Sequence, residues 1–211
     1  AIRLWGFFDQ QGALLCETDL EELWREVGPC LAITRVRLQE ALLSGAVAVP
    51  HRLGVSLTAL TQDDTRVRVG FSDGTSGDYD LVVGADGIHS TVRELAVVAS
   101  SPGYAGQMAW RSVIPTRPRG IDDMMVLMGD GCFFGLVPMG EGYTYGFGAV
   151  GGTRFESPLV GRLERFRRRF ADFGAPVPAY LAALQCDEQL HFGAIEWVEL
   201  DEWYRGRVVL I

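Results

Sequence analysis

The chain is 211 residues long, enough for one large domain or two modest ones. Hydrophobic residues make up 48% and charged residues 22%, a balance that excludes a disordered chain. The formal net charge is −8 and no lysine is present, so nothing here would neutralise a phosphate ladder and a nucleic-acid partner is not expected.

Residues 2–8 and 12–16 are apolar stretches around Asp9-Gln10-Gln11-Gly12 and predict a hairpin. Leu20, Leu23, Trp24 and Val27 fall at i, i+3, i+4 and i+7, the spacing of a short amphipathic helix that Gly28-Pro29 would end. A second helix is predicted from Arg35 to Leu43, with Thr34 as N-cap and Gly45 beyond its C-terminus. Arg35 in its first turn, and Arg37 two positions on, oppose the helix dipole by roughly 0.3–1 kcal/mol each. Either the helix is a surface element that tolerates this cost, or an anion arrives at its free N–H groups and needs a cation beside them.

Residues 53–60 alternate weakly and 66–71 cleanly, with a turn at Ser72-Asp73-Gly74. Leu81-Val82-Val83-Gly84-Ala85 is a continuous apolar run of the kind that forms a buried parallel strand. It breaks at Asp86-Gly87, and a helix start follows from Ser90 to Leu95. Short alternating segments at 106–115, 124–129, 132–138 and 143–150, separated by Gly and Pro, predict an antiparallel sheet. In the last of these, Tyr143, Tyr145 and Phe147 share one face while Thr144, Gly146 and Gly148 share the other. Leu159, Leu163, Phe166 and Phe170 form a helical stripe, and Arg162, Arg165 and Arg168 are expected on its solvated side. The chain opens without methionine, in strand-like sequence, and stops at Arg207-Val208-Val209-Leu210-Ile211 with no turn or cap. Both ends predict an internal fragment.

Cys16, Cys30, Cys132 and Cys186 are too widely spaced for a zinc site or a disulfide scaffold, so no metal is expected and reduced thiols in a cytoplasmic protein are. No apolar run approaches the roughly 18 residues of a membrane span, and no signal peptide opens the sequence.

The most informative stretch runs from Asp80 through Asp86-Gly87-Ile88-His89-Ser90 to Arg93. A carboxylate just past the C-terminal edge of a buried parallel strand sits where open α/β sheets bind ligands, and an acid there can accept hydrogen bonds from ribose hydroxyls. Gly87 permits close backbone approach, and Ser90 is a natural cap. An ordinary strand–turn–helix with an Asx turn would show the same residues.

This stretch resembles the Asp-Gly motif of the class A flavoprotein monooxygenases, the family of the para-hydroxybenzoate hydroxylase fold, at Asp86, Gly87, Ser90 and Arg93. Arg35 to Leu38, followed by Leu42, resembles that family's Arg-x-x-Leu helix, whose arginine lies near the FAD pyrophosphate. Residues 203–211 resemble the strand before its Gly-Asp flavin motif. The family's GxGxxG loop would lie before Ala1 and the Gly-Asp motif after Ile211, so the chain would carry only part of the FAD site and, taken alone, is expected to be inactive.

The resemblance implies a mixed α/β (α+β) fold in which a partial Rossmann-like FAD-binding domain (29–97 and 196–211) interleaves with an antiparallel-sheet substrate domain (1–28 and 98–195). It implies an FAD-dependent monooxygenase that uses NAD(P)H and O2 to hydroxylate a small aromatic substrate through a flavin hydroperoxide. A flavin halogenase, an FAD-dependent reductase of the same superfamily or an inactive fragment are the alternatives. The cofactor would be bound by Arg35, Leu57, Asp86 and Gly87, and the substrate pocket lined by Trp110, Arg111, Gly146 and Gly148, with no catalytic side chain assigned.

Overall fold

The computed structural model describes residues 1–211. Strands β1 (Leu4–Asp9) and β2 (Leu14–Asp19) form the predicted hairpin, its turn held by Asp9 Oδ1, which accepts from the Gln11 and Ala13 amides. Helix α1 (Leu20–Leu23) is a single turn, shorter than the spacing implied. Leu20 is buried, but Leu23, Trp24 and Val27 are exposed, and one turn without a packing surface does not propagate. Helix α2 (Arg35–Gly45) starts where predicted, the Thr34 hydroxyl accepting from the Arg37 amide at 3.3 Å, and buries no side chain.

Next come β3 (Leu57–Gln62), β4 (Val67–Phe71), β5 (Ser76–Tyr79) and β6 (Val82–Gly84). The predicted sheet is present as β7 (Gly103–Ile114), β8 (Met124–Gly129), β9 (Cys132–Pro138) and β10 (Thr144–Gly151). Helices α3 (Arg162–Arg169) and α4 (Val177–Ala183) precede β11 (His191–Trp197), β12 (Tyr204–Arg205) and β13 (Val208–Leu210). None of the helices is long and apolar enough to cross a membrane.

The chain packs as two units, Ala1–Gly45 with Gly106–Ile195, and Ala46–Ala105 with Glu196–Ile211. Residues 29–45 therefore group with the larger unit. The Ile2 amide donates to the Cys30 carbonyl at 2.8 Å, and Ala32 packs against buried Ile2, Leu20 and Val137.

In the larger unit seven strands follow the order β11-β7-β10-β9-β8-β1-β2; the β7–β10, β10–β9, β9–β8 and β1–β2 pairs are antiparallel and the β1–β8 pair is parallel. One face carries Trp110, Ser112, Phe134 and Leu136 and is covered by Phe166, Phe170, Phe173 and Tyr180 from α3, α4 and the segment between them. Phe134 sits 5.1 Å from Phe170 and 5.8 Å from Tyr180, centroid to centroid. The Tyr180 hydroxyl donates to the Ser112 carbonyl at 3.0 Å and lies 2.8 Å from the Ser112 hydroxyl; burial pushes its pKa up to about 12. Of the stripe that predicted α3, Leu163, Phe166 and Phe170 are buried and Leu159 is not. Its arginines are less idle than a solvated face implies. Arg162 donates to the Ser157 and Leu190 carbonyls and Arg165 to that of Val160, while Arg168 pairs only loosely with Glu164 at 3.9 Å.

In the smaller unit β13 pairs with β6 in parallel, Val208 opposite Val82 and Leu210 opposite Gly84. The predicted strands near 81–85 and 207–211 thus share one sheet. Their core joins Val67, Val69, Val92, Ala96, Val208 and Leu210. The run at 81–85 is buried on one face only, with Leu81 and Val83 exposed by more than half.

Candidate cofactor and substrate sites

Asp86 follows the C-terminal edge of β6 in the smaller unit. The turn after it is fixed by the carboxylate itself. The Ser90 hydroxyl donates to Asp86 Oδ1 and the Val92 amide to Oδ2 at 3.1 Å, while Ser90 Oγ accepts from the Arg93 amide at 2.9 Å. Desolvation alone would raise the Asp86 carboxyl; hydrogen bonds from Ser90 and from the Val92, Asp86 and Thr91 amides outweigh it and hold the group below the usual carboxylate range. The carboxylate is therefore charged at neutral pH, and the residue is exposed.

Gly87 has φ +81 and nothing within 4 Å of where a Cβ would stand, so a ligand could approach its backbone closely. Gly84, one residue before the turn in β6, lacks that freedom: a Cβ there would meet Val92 and Leu210 at 2.8 Å. A cleft of about 310 Å³ beside this turn is lined by Gly84, Gly87, Ile88, Ser90, Arg93 and Trp203. An anchored carboxylate next to an unobstructed glycine fits a ribose diol, and the cleft has room for a portion of a dinucleotide. Leu57 is also in this unit, but its side chain packs against the Val67–Leu210 core.

In the larger unit Arg35 is the first residue of α2, exposed and without an ion pair or side-chain hydrogen bond. Its neighbour Arg37 sits 3.7 Å from both Glu40 and Glu141. One arginine of that helix end is thus paired and the other is available to an anion.

The four predicted substrate residues fall on opposite faces of the sheet, since Trp110 and Arg111 are adjacent in one strand. Trp110 is 3% exposed and ringed by Phe155, Phe166, Phe170 and Phe192, so it is core. Gly146 and Gly148 do not form a slot for a flat ligand. A Cβ at Gly146 would lie 2.3 Å from the Tyr180 ring and one at Gly148 2.5 Å from Phe170, so the helical layer already fills that space. Arg111 alone of the four is on the other face, opposite Phe147 and beside Tyr145, whose hydroxyl pKa is raised by burial and partly lowered again by the Arg111 charge and hydrogen bond.

That second face holds what the sequence reading did not assign: half-buried Trp5 and Phe7, 5.0 Å apart, and Tyr145 stacked on Phe147 at 5.5 Å. The signal was present in the Trp5-Gly6-Phe7 and Tyr145-Gly146-Phe147 alternations. It marked two aromatic rows, but not which side of the sheet the helices would occupy.

The FAD binding domain family profile matches residues 17–142. The chain belongs to the class A FAD-dependent monooxygenases. It is 30% identical over 189 residues to the aurachin C monooxygenase/isomerase of Stigmatella aurantiaca, covering 88% of this chain and 49% of that one. It is 37% identical over 153 residues to the 3-amino-4-hydroxybenzoate 2-monooxygenase of Streptomyces cremeus, covering 70% and 39%. The crystal structure of Klebsiella pneumoniae HpxO with FAD and uric acid superposes with a TM-score of 0.89 at 26% identity, covering all of this chain and 56% of that one. The chain spans about half the length of the curated relatives it matches.

Asp86 and Gly87 present an ionised acceptor and an unobstructed backbone, a pairing compatible with a cofactor ribose. The expected fold is present as well, a mixed α/β arrangement in which the antiparallel-rich sheet and the strands around Asp86 alternate along the sequence.

Proposed function

We propose that this chain supplies the ribose-binding turn and the substrate-facing sheet of an enzyme that uses NAD(P)H and O2 to hydroxylate a small aromatic or heteroaromatic molecule. FAD, when bound, supplies the redox chemistry and the activation of oxygen. Asp86 accepts hydrogen bonds from the ribose, Gly87 lets the cofactor backbone approach, and Arg35 meets the pyrophosphate at the start of α2. The face built from Trp5, Phe7, Tyr145 and Phe147 takes the flat substrate, and Arg111 places a cation there suited to a carboxylate or phenolate oxygen. The relative named for 3-amino-4-hydroxybenzoate and the neighbour holding uric acid favour an acidic, planar substrate of this kind. A cytoplasmic setting goes with this reading, supported by four free cysteines.

The single observation that carries the proposal is the Asp86 carboxylate, kept ionised and fixed beside an unobstructed glycine. In the protein at its full encoded length, Asp86→Ala should weaken FAD binding by about 1–3 kcal/mol, the loss of a charged hydrogen-bond acceptor. Flavin retention on dialysis equal to the parent's would sink the assignment.

Arg35 gives a second test, because its sign reverses on binding. Without cofactor it opposes the helix dipole, so Arg35→Gln should leave apo stability within roughly 0.5 kcal/mol of the parent. With FAD present the same change should shrink the ligand-induced rise in melting temperature, since that rise follows affinity for the native state. Equal FAD-induced shifts in parent and variant would reduce Arg35 to an ordinary surface residue.

A further inference from the structure

We infer that Ser90 and Arg93 are positioning residues of the cofactor site, holding the Asp86 carboxylate in the orientation that accepts the ribose hydroxyls. This rests on the FAD reading above and extends it to two side chains that reading leaves unused.

Arg93 is the starting point. It is 3% exposed. Its Nη1 donates to the Ile88 carbonyl at 2.8 Å and its Nη2 to the Ser100 carbonyl at 3.1 Å, while its buried Nε has no acceptor. A cation at this depth is costly, and an aliphatic side chain would fill the space with less penalty. What a guanidinium can do, and an aliphatic chain cannot, is tie two carbonyls together across a gap. Here the two carbonyls belong to the loop just after Asp86-Gly87 and to the segment beyond the π-type turn Arg93–Val97. The side chain fixes the two ends of the turn against one another.

The backbone of the same residue reaches the carboxylate. The Arg93 amide donates to Ser90 Oγ, the Ser90 hydroxyl donates to Asp86 Oδ1, and the Val92 amide donates to Asp86 Oδ2. Ser90, at 4% exposure, has its hydroxyl engaged as both donor and acceptor, with no solvent to substitute for either partner. Both carboxylate oxygens are thus held from the side of the turn, while the residue itself is exposed. Such a carboxylate does not have to be reoriented when a diol arrives.

The test uses the protein at its full encoded length, with FAD affinity from a fluorescence titration and an apo thermal melt for each variant. Ser90→Ala should weaken FAD binding roughly tenfold, and Ser90→Thr, which keeps the hydroxyl, should recover most of it. Arg93→Lys, which keeps the charge but cannot span both carbonyls, should also weaken FAD binding, more than its apo melt alone would imply. The decisive arm is Ser90→Ala made on Asp86→Ala, where it should have little further effect, because the group it orients is gone. Additive losses in that double variant would overturn the inference, and so would parent-like FAD affinity in Ser90→Ala and Arg93→Lys while Asp86→Ala binds weakly. Parent-like affinity in Asp86→Ala itself would instead remove the cofactor reading, and the inference with it.

Discussion

Trp110→Ala is expected to lower folding stability by about 3–5 kcal/mol, enough to unfold a large fraction of a marginally stable chain. The indole is 3% exposed, with ring centroids of Phe166, Phe170 and Phe192 at 5.7, 6.0 and 4.9 Å. Three aromatic neighbours cannot all collapse into the vacated volume, so most of the cavity would persist. Trp110→Phe keeps a ring and removes an N–H that is buried without an acceptor, so it should retain much of the parent stability. A chemical-denaturation midpoint decides the matter. A Trp110→Ala variant as stable as the parent but altered in substrate binding would return the residue to the pocket.

Gly146→Val should be nearly as damaging, at roughly 3 kcal/mol, the upper end of the usual overpacking cost. The first added carbon would already lie 2.3 Å from the Tyr180 ring, and that ring cannot swing away cheaply. Its hydroxyl is tied to both the carbonyl and the hydroxyl of Ser112. Pairing the substitution with Tyr180→Ala, which opens the same space, should make Gly146→Val much less costly than it is alone. A loss of stability that is the same with and without Tyr180 would show that the clash is not its cause.

These two residues also show where sequence reading stops. Period-two alternation in β10 placed Gly146 and Gly148 on one face and Tyr145 and Phe147 on the other, and the structure keeps that parity. Alternation says nothing of what lies above each face. By itself it leaves the glycine face open to a substrate or to a packed helix, and the space is filled by Tyr180 and Phe170. Helix α4, which brings Tyr180, is only seven residues long and begins with a proline at its first turn, too short for periodicity to announce. Strand β11 escaped as well: five consecutive residues are half-buried, so no buried face alternates with an exposed one.

Capping chemistry was more legible than packing. Thr34 before α2, the Asp9 turn and the Asp86–Ser90 turn each depend on a short polar side chain bonding a backbone or hydroxyl group a few residues away, and such contacts are written in local spacing. Length was less legible: α1 stops after one turn, and the run at 81–85 yields three paired residues. The apolar stripe shows which residues can face a core, but the extent of the element depends on whether that core is present.

The central claim, that this chain belongs to the working part of a flavin-dependent hydroxylase, is tested most directly by the fate of dioxygen. The protein at its full encoded length, loaded with FAD and supplied with NAD(P)H under isotopically labelled O2, would be given a panel of small aromatic and heteroaromatic acids. The account predicts that a member of the panel accelerates NAD(P)H oxidation and leaves with a single labelled oxygen atom on its ring. Accelerated NAD(P)H oxidation with a product that carries no label, or a protein that retains no flavin at all, would contradict it.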